Sequence, residues 1–405
     1  MQEFTPIEYL KIDVASNFGL DKESWNNRLT WFEANEPVLE QMNTHAEEPA
    51  LYYAGVKAYR AAMLGKDIAY PISLDATASG AQLLAVLIGC HKSAKLCNVI
   101  DTGSREDFYT NIYDSMVDSI GSTAKIDRKD TKRAIMTSLY SSQAVPKEVF
   151  GEGELLETFF KTMDEEAPGV WRLNEGLQGL WQSDALEHSW VLPDNFHVHV
   201  KVMDTQVDTF TFLERPYDVR TKVNKPTDSG RSLVANLTHS VDGLVVREMT
   251  ARCDYNLSQV VTAMELCLGA IKQTHTPSQL GTSTKNVTMV KTLAKHFEET
   301  GFLSARIIDY IDEASIHYAP QGPLWNLLES LPKKPFNILS IHDCFKVHPN
   351  YGNDLRKQYN QILHEIAKSS LLVSLASQIA GEQVDVRKFG DLTNSGIREA
   401  NYALS

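Results

Sequence analysis

The sequence is short of positive charge, of clustered cysteine and of long apolar runs, and each shortage argues against a class of protein. Its 39 Lys and Arg stand against 52 Asp and Glu, for a formal net charge of −13 over 405 residues. A chain that grips duplex nucleic acid unaided carries a basic footprint, so this balance speaks against tight duplex binding by the chain alone. It leaves room for a local basic channel, or for a partner that supplies the positive surface. The five cysteines, Cys90, Cys97, Cys253, Cys267 and Cys344, are odd in number and scattered, which fits reduced thiols in a cytosolic compartment better than a disulfide framework. Cys90-His91 with Cys97 lacks a second ligand pair at zinc spacing and reads as buried thiols beside a helix-end histidine. No charged-then-apolar signal segment opens the chain, no apolar run reaches membrane-spanning length, and no repeat or low-complexity tract is evident. The expectation is a soluble, intracellular protein without a membrane partner. At 43 % hydrophobic residues it can bury a sizeable core and form more than one structural unit.

What the sequence does hold is a strand, tight turn and strand over 335–348, with His342-Asp343 at the bend. A second strand ending in a carboxylate, Ile72-Ser73-Leu74-Asp75, lies far upstream and leads through Ser79-Gly80 into an apolar helix over 81–88. Alone, Asp75 or Ser79 is explained equally well as a helix N-cap. Residues 51–63 and 105–120 have helical apolar spacing, the latter with Phe108, Ile112, Met116 and Ile120 four apart and Tyr109 and Tyr113 on an adjoining stripe. After Gly121-Ser122-Thr123, residues Arg128, Lys132, Met136 and Tyr140 recur every fourth position. On one helix face that gives two cations, a thioether and a ring, an order suited to a triphosphate followed by a sugar or base. An amphipathic helix with a solvated basic first half is the plainer alternative.

Residues 144–235 are less legible. An acidic section leads to 180–192, where tryptophans and aliphatics follow no clear period. Strands are expected over 196–203 and 206–213, and a loop over 224–231. His197 and His199 share a strand face but lack a third ligand. Asn236 to Gly243 is as consistent with a capped turn as with a site. Helices are expected over 257–272, 290–299, 325–331 and 353–370, and the last fifteen residues are mostly polar until Tyr402.

Four of these segments together resemble the single-subunit, phage-type RNA polymerases. Asp75-Ala76-Thr77-Ala78-Ser79-Gly80-Ala81-Gln82 resembles their motif A, the run Arg128 to Ser141 their motif B, and Ile341-His342-Asp343-Cys344-Phe345 their motif C. Asn236, His239, Ser240, Asp242 and Gly243 match a further segment preceding motif C. The resemblance implies an α+β fold, a polymerase right-hand palm and fingers with a small antiparallel palm sheet and many helices. The expected layout is a helical lead into the palm over 1–69, palm with motif A over 70–125, fingers with motif B over 126–235, and a return through motif C and the C-terminal region over 236–405. By that resemblance Asp75, Asp343 and the backbone carbonyl of Ala76 would hold two Mg²⁺ ions, with Mn²⁺ a possible substitute. Lys132 and Arg128 would neutralise the phosphates, Lys132 protonating the leaving pyrophosphate. Met136 would line the base face. Tyr140 would read the 2′-hydroxyl, with His239 and Tyr109 as sugar or primer-end contacts. The implied activity is template-directed addition of ribonucleoside triphosphates to an RNA 3′ end on a DNA template.

The related DNA polymerases share the two-aspartate palm and the basic helix, but carry a glutamate five residues after the first aspartate. Gly80 stands there and leaves space for a ribose. A non-catalytic nucleic-acid-associated scaffold is the third class, and it predicts no dependence on Asp75, Lys132 or Asp343. Three positions depart from the family pattern: Ser141 for a glycine, Leu83 for a histidine and Cys344 for a serine. The lead before Asp75 is too short for an amino-terminal domain, a thumb and the T/D-x-x-G-R segment of full-length enzymes, and Thr227-Asp228-Ser229-Gly230-Arg231 matches that pattern on the wrong side of motif B. These features resemble the large catalytic subunit of the split, two-subunit RNA polymerases of N4-like bacteriophages. A smaller subunit would then supply the missing parts and bury an apolar face of this chain, at the Trp25 to Phe32 region or the early helices, where the aromatics could equally fill the chain's own core; the setting would be the cytoplasm of an infected bacterial host.

Overall fold

Caps and apolar spacing lay out the first third of the chain in the computed structural model, which describes residues 1–121, 126–230, 232–272 and 284–405. Thr5 and Glu8 close a reciprocal capping box on α1 (Pro6–Ala15), with Pro6 at the first turn where its missing N–H costs nothing. Then follow α2 (Trp25–Asn35), α3 (Pro49–Met63), β1 (Ile72–Asp75), α4 (Ser79–Ile88), α5 (His91–Leu96), α6 (Phe108–Ile120) and α7 (Arg128–Leu139). Every residue of α4 after Ser79 is buried, in keeping with a sequence that is apolar on all sides except at Gln82. Asp107 and Asp127 cap α6 and α7.

Three more helices, α8 (Ala144–Phe150), α9 (Glu154–Glu166) and α10 (Pro168–Gln178), precede four strands: β2 (Glu187–Val191), β3 (His197–Lys201), β4 (Met203–Phe212) and β5 (Arg215–Asn224). β2 pairs with β3, and β4 with β5, both antiparallel. The β4–β5 ribbon is exposed along almost its whole length. The long α11 (Ser232–Cys253), α12 (Leu257–Ile271), α13 (Thr284–Thr300) and α14 (Gln321–Ser330) follow, then β6 (Ile338–Ile341), β7 (Cys344–Val347), α15 (Gly352–Lys368) and α16 (Leu371–Ala380). The fold is thus mixed α+β, dominated by helices, with small antiparallel sheets. No helix among the described residues is long and apolar enough to cross a membrane.

The sheet that organises the molecule has the order β1-β7-β6, with Asp75 opposite Cys344 and Ile341 opposite Cys344 on the other side. A large core runs beneath it through α1–α4, α11 and α15. A second core, formed by α12, α13, α14 and the turns between them, includes Val260, Val290, Leu293, Leu324 and Leu327. Buried ion pairs tie the two: Arg252 of α11 bonds Glu248 and Glu365, and Glu248 accepts from the N–H of Ala305. Several expectations change here. Asn236 to Gly243 is interior to α11, not a capped turn. The unassigned 180–192 stretch contains β2. Trp25 and Phe32 are fully buried, Trp25 stacking on Tyr402 at 5.5 Å, so these rings fill the chain's own core rather than offering a docking face. Gly121 ends α6, while residues 122–125 and Arg231 lie outside the described residues.

Asp13 of α1 fastens the sheet to the helical lead. Its carboxylate, 3 % exposed, accepts from the Tyr70 hydroxyl at 2.6 Å, the Ser73 N–H at 2.8 Å and the Asn17 amide at 3.0 Å. Burial outweighs these bonds and pushes its pKa up to about 6. The native state therefore takes up this proton near pH 6, and the unfolded chain only near about 3.9. The carboxyl's contribution to stability accordingly grows as pH falls through that window and is lost as pH rises through 6. Urea unfolding at pH 4 to 7 should show wild type gaining on Asp13→Asn by up to about 1 kcal/mol per pH unit on acidification. A pH-independent difference would contradict this account.

Candidate active site

Asp75 ends β1, and the backbone beyond it is held from both sides. On one side the C-terminal segment runs alongside: Asp75 N–H donates to the Ser405 carbonyl at 3.2 Å, Ser405 N–H to the Asp75 carbonyl at 2.9 Å, and Thr77 N–H to the Ala403 carbonyl at 3.4 Å. On the other, Ala76 N–H donates to the Asp343 carbonyl at 3.2 Å. This bond sets the two carboxylate-bearing turns next to each other. Asp343 is held in a two-residue bend by His342, whose φ of 57° is left-handed backbone that a non-glycine residue rarely adopts.

A cleft of about 330 Å³ opens over these turns. Its walls carry Asp75, Ala76, Gly80, Tyr109, Lys132, Met136, Tyr140, His239 and Asp343, that is, nine of the ten residues singled out from the sequence. Tyr140 caps the end of α7 and stacks on His239 of α11 at 4.7 Å with the rings 11° apart. Gly80 faces the same ring, since a Cβ there would sit 3.0 Å from the Tyr140 hydroxyl. The Lys132 ammonium lies 5.1 Å from the centre of the Tyr109 ring. Among the described residues Lys132 makes no ion pair.

Arg128 is the residue placed differently. It lines an adjoining cavity of about 150 Å³ with Asp75, Tyr109 and Lys132. Its guanidinium is engaged by Asp107 at 2.6 Å and by the Thr110 hydroxyl at 2.9 Å. The one-face spacing with Lys132 holds, but its charge is already neutralised by the carboxylate that caps α6. Lys132 is therefore the uncommitted cation of the pair.

The cleft is electrostatically one-sided. Asp75 opens to the cleft yet is surrounded mostly by protein, and burial followed by the Asp343 charge pushes its pKa up to about 6. Asp242, one turn beyond His239 on α11, is pushed up to about 6 by burial and then by Asp343. The Tyr140 and Tyr109 hydroxyls are raised above their ordinary range, chiefly by burial. Asp242 was visible in the sequence as part of the segment with His239, but nothing in its spacing marked it as a third carboxylate of the site. Arg105, which lines the adjoining cavity with Asp75 and Arg128, was likewise missed, as were Gln82 and the Ala403–Ser405 segment. Gln82, fully buried, donates to the Thr77 hydroxyl and the Cys97 and Ala403 carbonyls and accepts from the Tyr359 hydroxyl, locking the turn after Asp75.

The three departures acquire physical explanations. Ser141 has φ 66°, which a glycine adopts without cost, and its hydroxyl bonds Asn174 at 2.9 Å, while Asn174 donates to the Ser138 and Leu139 carbonyls. Leu83 is 1 % exposed in the core. Cys344 stands opposite Asp75, its thiol pushed up to about 11 by burial and then by that carboxylate. Among the described residues no group of three or more His, Cys, Asp or Glu forms a metal cage. Two carboxylates with a backbone carbonyl nonetheless suit Mg²⁺, which keeps several waters and is commonly held by one or two carboxylates plus substrate phosphates.

Residues 4–165 match the family model for DNA-dependent RNA polymerase. A probable DNA-directed RNA polymerase from Gelasinospora sp. (strain G114) is 26 % identical over 362 residues, an alignment covering 84 % of this chain and 39 % of that protein. The chain thus spans well under half the length of this relative.

Proposed function

We propose, from the match of residues 4–165 and the 26 % identical relative, that the chain belongs to the DNA-directed RNA polymerases and that the cleft adds ribonucleotides to an RNA 3′ end on a DNA template. The observation that carries this reading is the convergence of Asp75, Lys132, Tyr140, His239 and Asp343, from four separate segments, on one cleft. Asp75, Asp343 and the Ala76 carbonyl would hold Mg²⁺. Bound there, the ions would supply activation of the attacking hydroxyl and neutralisation of the triphosphate. Lys132, the cation without an ion-pair partner among the described residues, balances phosphate charge and is placed to give a proton to the departing pyrophosphate. Arg128 supports from the adjoining cavity through Asp107. Met136, 42 % exposed, offers an apolar surface to a base. Tyr140, backed by His239 and with open space beside its hydroxyl where Gly80 carries no side chain, addresses the ribose, and Tyr109 stands beside Lys132.

The finer reading is a split enzyme of the N4-like phage kind, in which a smaller subunit adds an amino-terminal domain, a thumb and a hybrid-contacting T/D-x-x-G-R segment. The net charge of −13 supports it, because an RNA–DNA hybrid needs positive surface from elsewhere. The test is extension of a primed template by the purified chain, with ribo- or deoxyribonucleotides, alone and with the smaller subunit co-expressed. Short ribonucleotide additions that become long only with the second polypeptide are expected. Long RNA from the chain alone would remove the split reading and keep the site. Deoxyribonucleotide preference would move the chain to the DNA polymerases.

A further inference from the structure

A second cavity, of about 390 Å³, lies where α15 meets the second core, and none of its residues belongs to the cleft. Helical spacing brings Gln361, His364, Glu365 and Lys368 to one side of α15, and Arg398 joins them from the C-terminal region. Opposite stand the apolar side chains of Phe297, Leu303 and Leu327, with Asn326 exposed at the rim.

The hydrogen-bonding capacity here is unequally used. Glu365 is committed: it accepts from Arg252 at 3.2 and 2.6 Å and from the Gln361 amide at 2.7 Å. Lys368 and Arg398 make no ion pair among the described residues. His364 is 7 % exposed, and neither ring nitrogen has a hydrogen-bond partner among the described residues. Neither nitrogen is among the fully buried unpaired atoms, so both stay accessible and free to meet a ligand. Burial and then the Arg398 charge hold the His364 pKa below its ordinary range, so a neutral ring presents one donor and one acceptor. The cavity therefore combines two uncommitted cations, an accessible imidazole and an apolar wall, at a volume usual for small-molecule sites.

We propose that this cavity binds a nucleotide through its phosphate monoester, held by Lys368, Arg398 and His364, with the base against Phe297, Leu303 and Leu327. The phosphate could belong to a free nucleotide or to the 5′ end of a strand. The site is separate from the cleft and does not depend on the polymerase reading.

The test is calorimetric titration of the full chain with adenosine 5′-monophosphate in EDTA, which suppresses divalent-dependent binding at the cleft. Charge-assisted bonds to phosphate predict binding about tenfold or more weaker for Lys368→Ala/Arg398→Ala, and likewise for adenosine in place of the nucleotide. His364→Gln, which retains a donor, should bind more tightly than His364→Ala. Both cations are exposed, so circular dichroism of the double variant should match wild type. A 5′-phosphorylated oligonucleotide that binds more tightly than the mononucleotide assigns the site to strand ends, and equal affinity assigns it to free nucleotide. No binding at millimolar nucleotide, or equal binding by wild type and the double variant, overturns the proposal.

Discussion

Asp343→Asn should reduce nucleotide addition on the order of 10³-fold while leaving the fold intact, a loss that corresponds to several kcal/mol of transition-state stabilisation. The side chain lies in the bend between β6 and β7, half-exposed, and its charge acts on both Asp75 and Asp242. An amide keeps the size and the bend but removes that charge. Asp75 and Asp242 should then ionise more readily, since each loses a like-charged neighbour. Primer extension with Mg²⁺ or Mn²⁺, run beside circular dichroism, measures both halves. Near-normal extension by this variant, or by Asp75→Asn, would remove the metal site from the account.

Gly80→Glu should suppress ribonucleotide addition on the order of 10²-fold, and more than deoxyribonucleotide addition. Even its Cβ would stand 3.0 Å from the Tyr140 hydroxyl, so the rest of the side chain must displace that ring from His239 or fill the sugar space. It also brings a fourth carboxylate to a wall that already carries Asp75, Asp242 and Asp343. Tyr140→Phe is the complementary change: the ring and its stacking remain, and only the hydroxyl goes. Discrimination against deoxyribonucleotides should weaken roughly tenfold with most ribonucleotide addition retained. kcat/KM for both sugar types in both variants decides the matter, and unchanged ratios would show that Gly80 and Tyr140 do not choose the sugar.

How far the chain could be read in advance follows from which physical signals are local. The β1 and β7 strands and α7 announce themselves because one face of each is buried, and burial writes a period into the sequence, whereas β6, with no buried residue, is marked only by its apolar side chains and the turn that follows. β5 left no such trace: Arg215 to Asn224 is exposed on nearly every residue, so neither face demanded apolar side chains. The helical character of Asn236 to Gly243 was hidden for another reason. Polar Asn236, Ser240 and Asp242 are spaced through α11 among fully buried leucines and valines, and polar residues read locally suggest a turn. The role of the last residues was the least accessible, because Ala403 to Ser405 matter through backbone bonds to Asp75 and Thr77, which no side chain advertises. The pairing of Arg128 with Asp107 was equally silent, joining the caps and first turns of two helices.

The register of the central sheet also sets the order in which the molecule can be made. β1 (Ile72–Asp75) pairs along its whole length with β7 (Cys344–Val347), a strand far later in the sequence, and its last residues are bracketed by residues 403–405. During synthesis at roughly 5–20 residues per second, β1 emerges tens of seconds before either neighbour exists. Its backbone donors and acceptors wait unpaired through that interval, shielded only by what α1 provides through Asp13. The two carboxylates consequently meet only after the whole stretch from residue 75 to residue 343 has left the ribosome. Long-range pairing of this kind makes folding slow, and it means that a nascent fragment, however much of its helical body has formed, holds no assembled cleft.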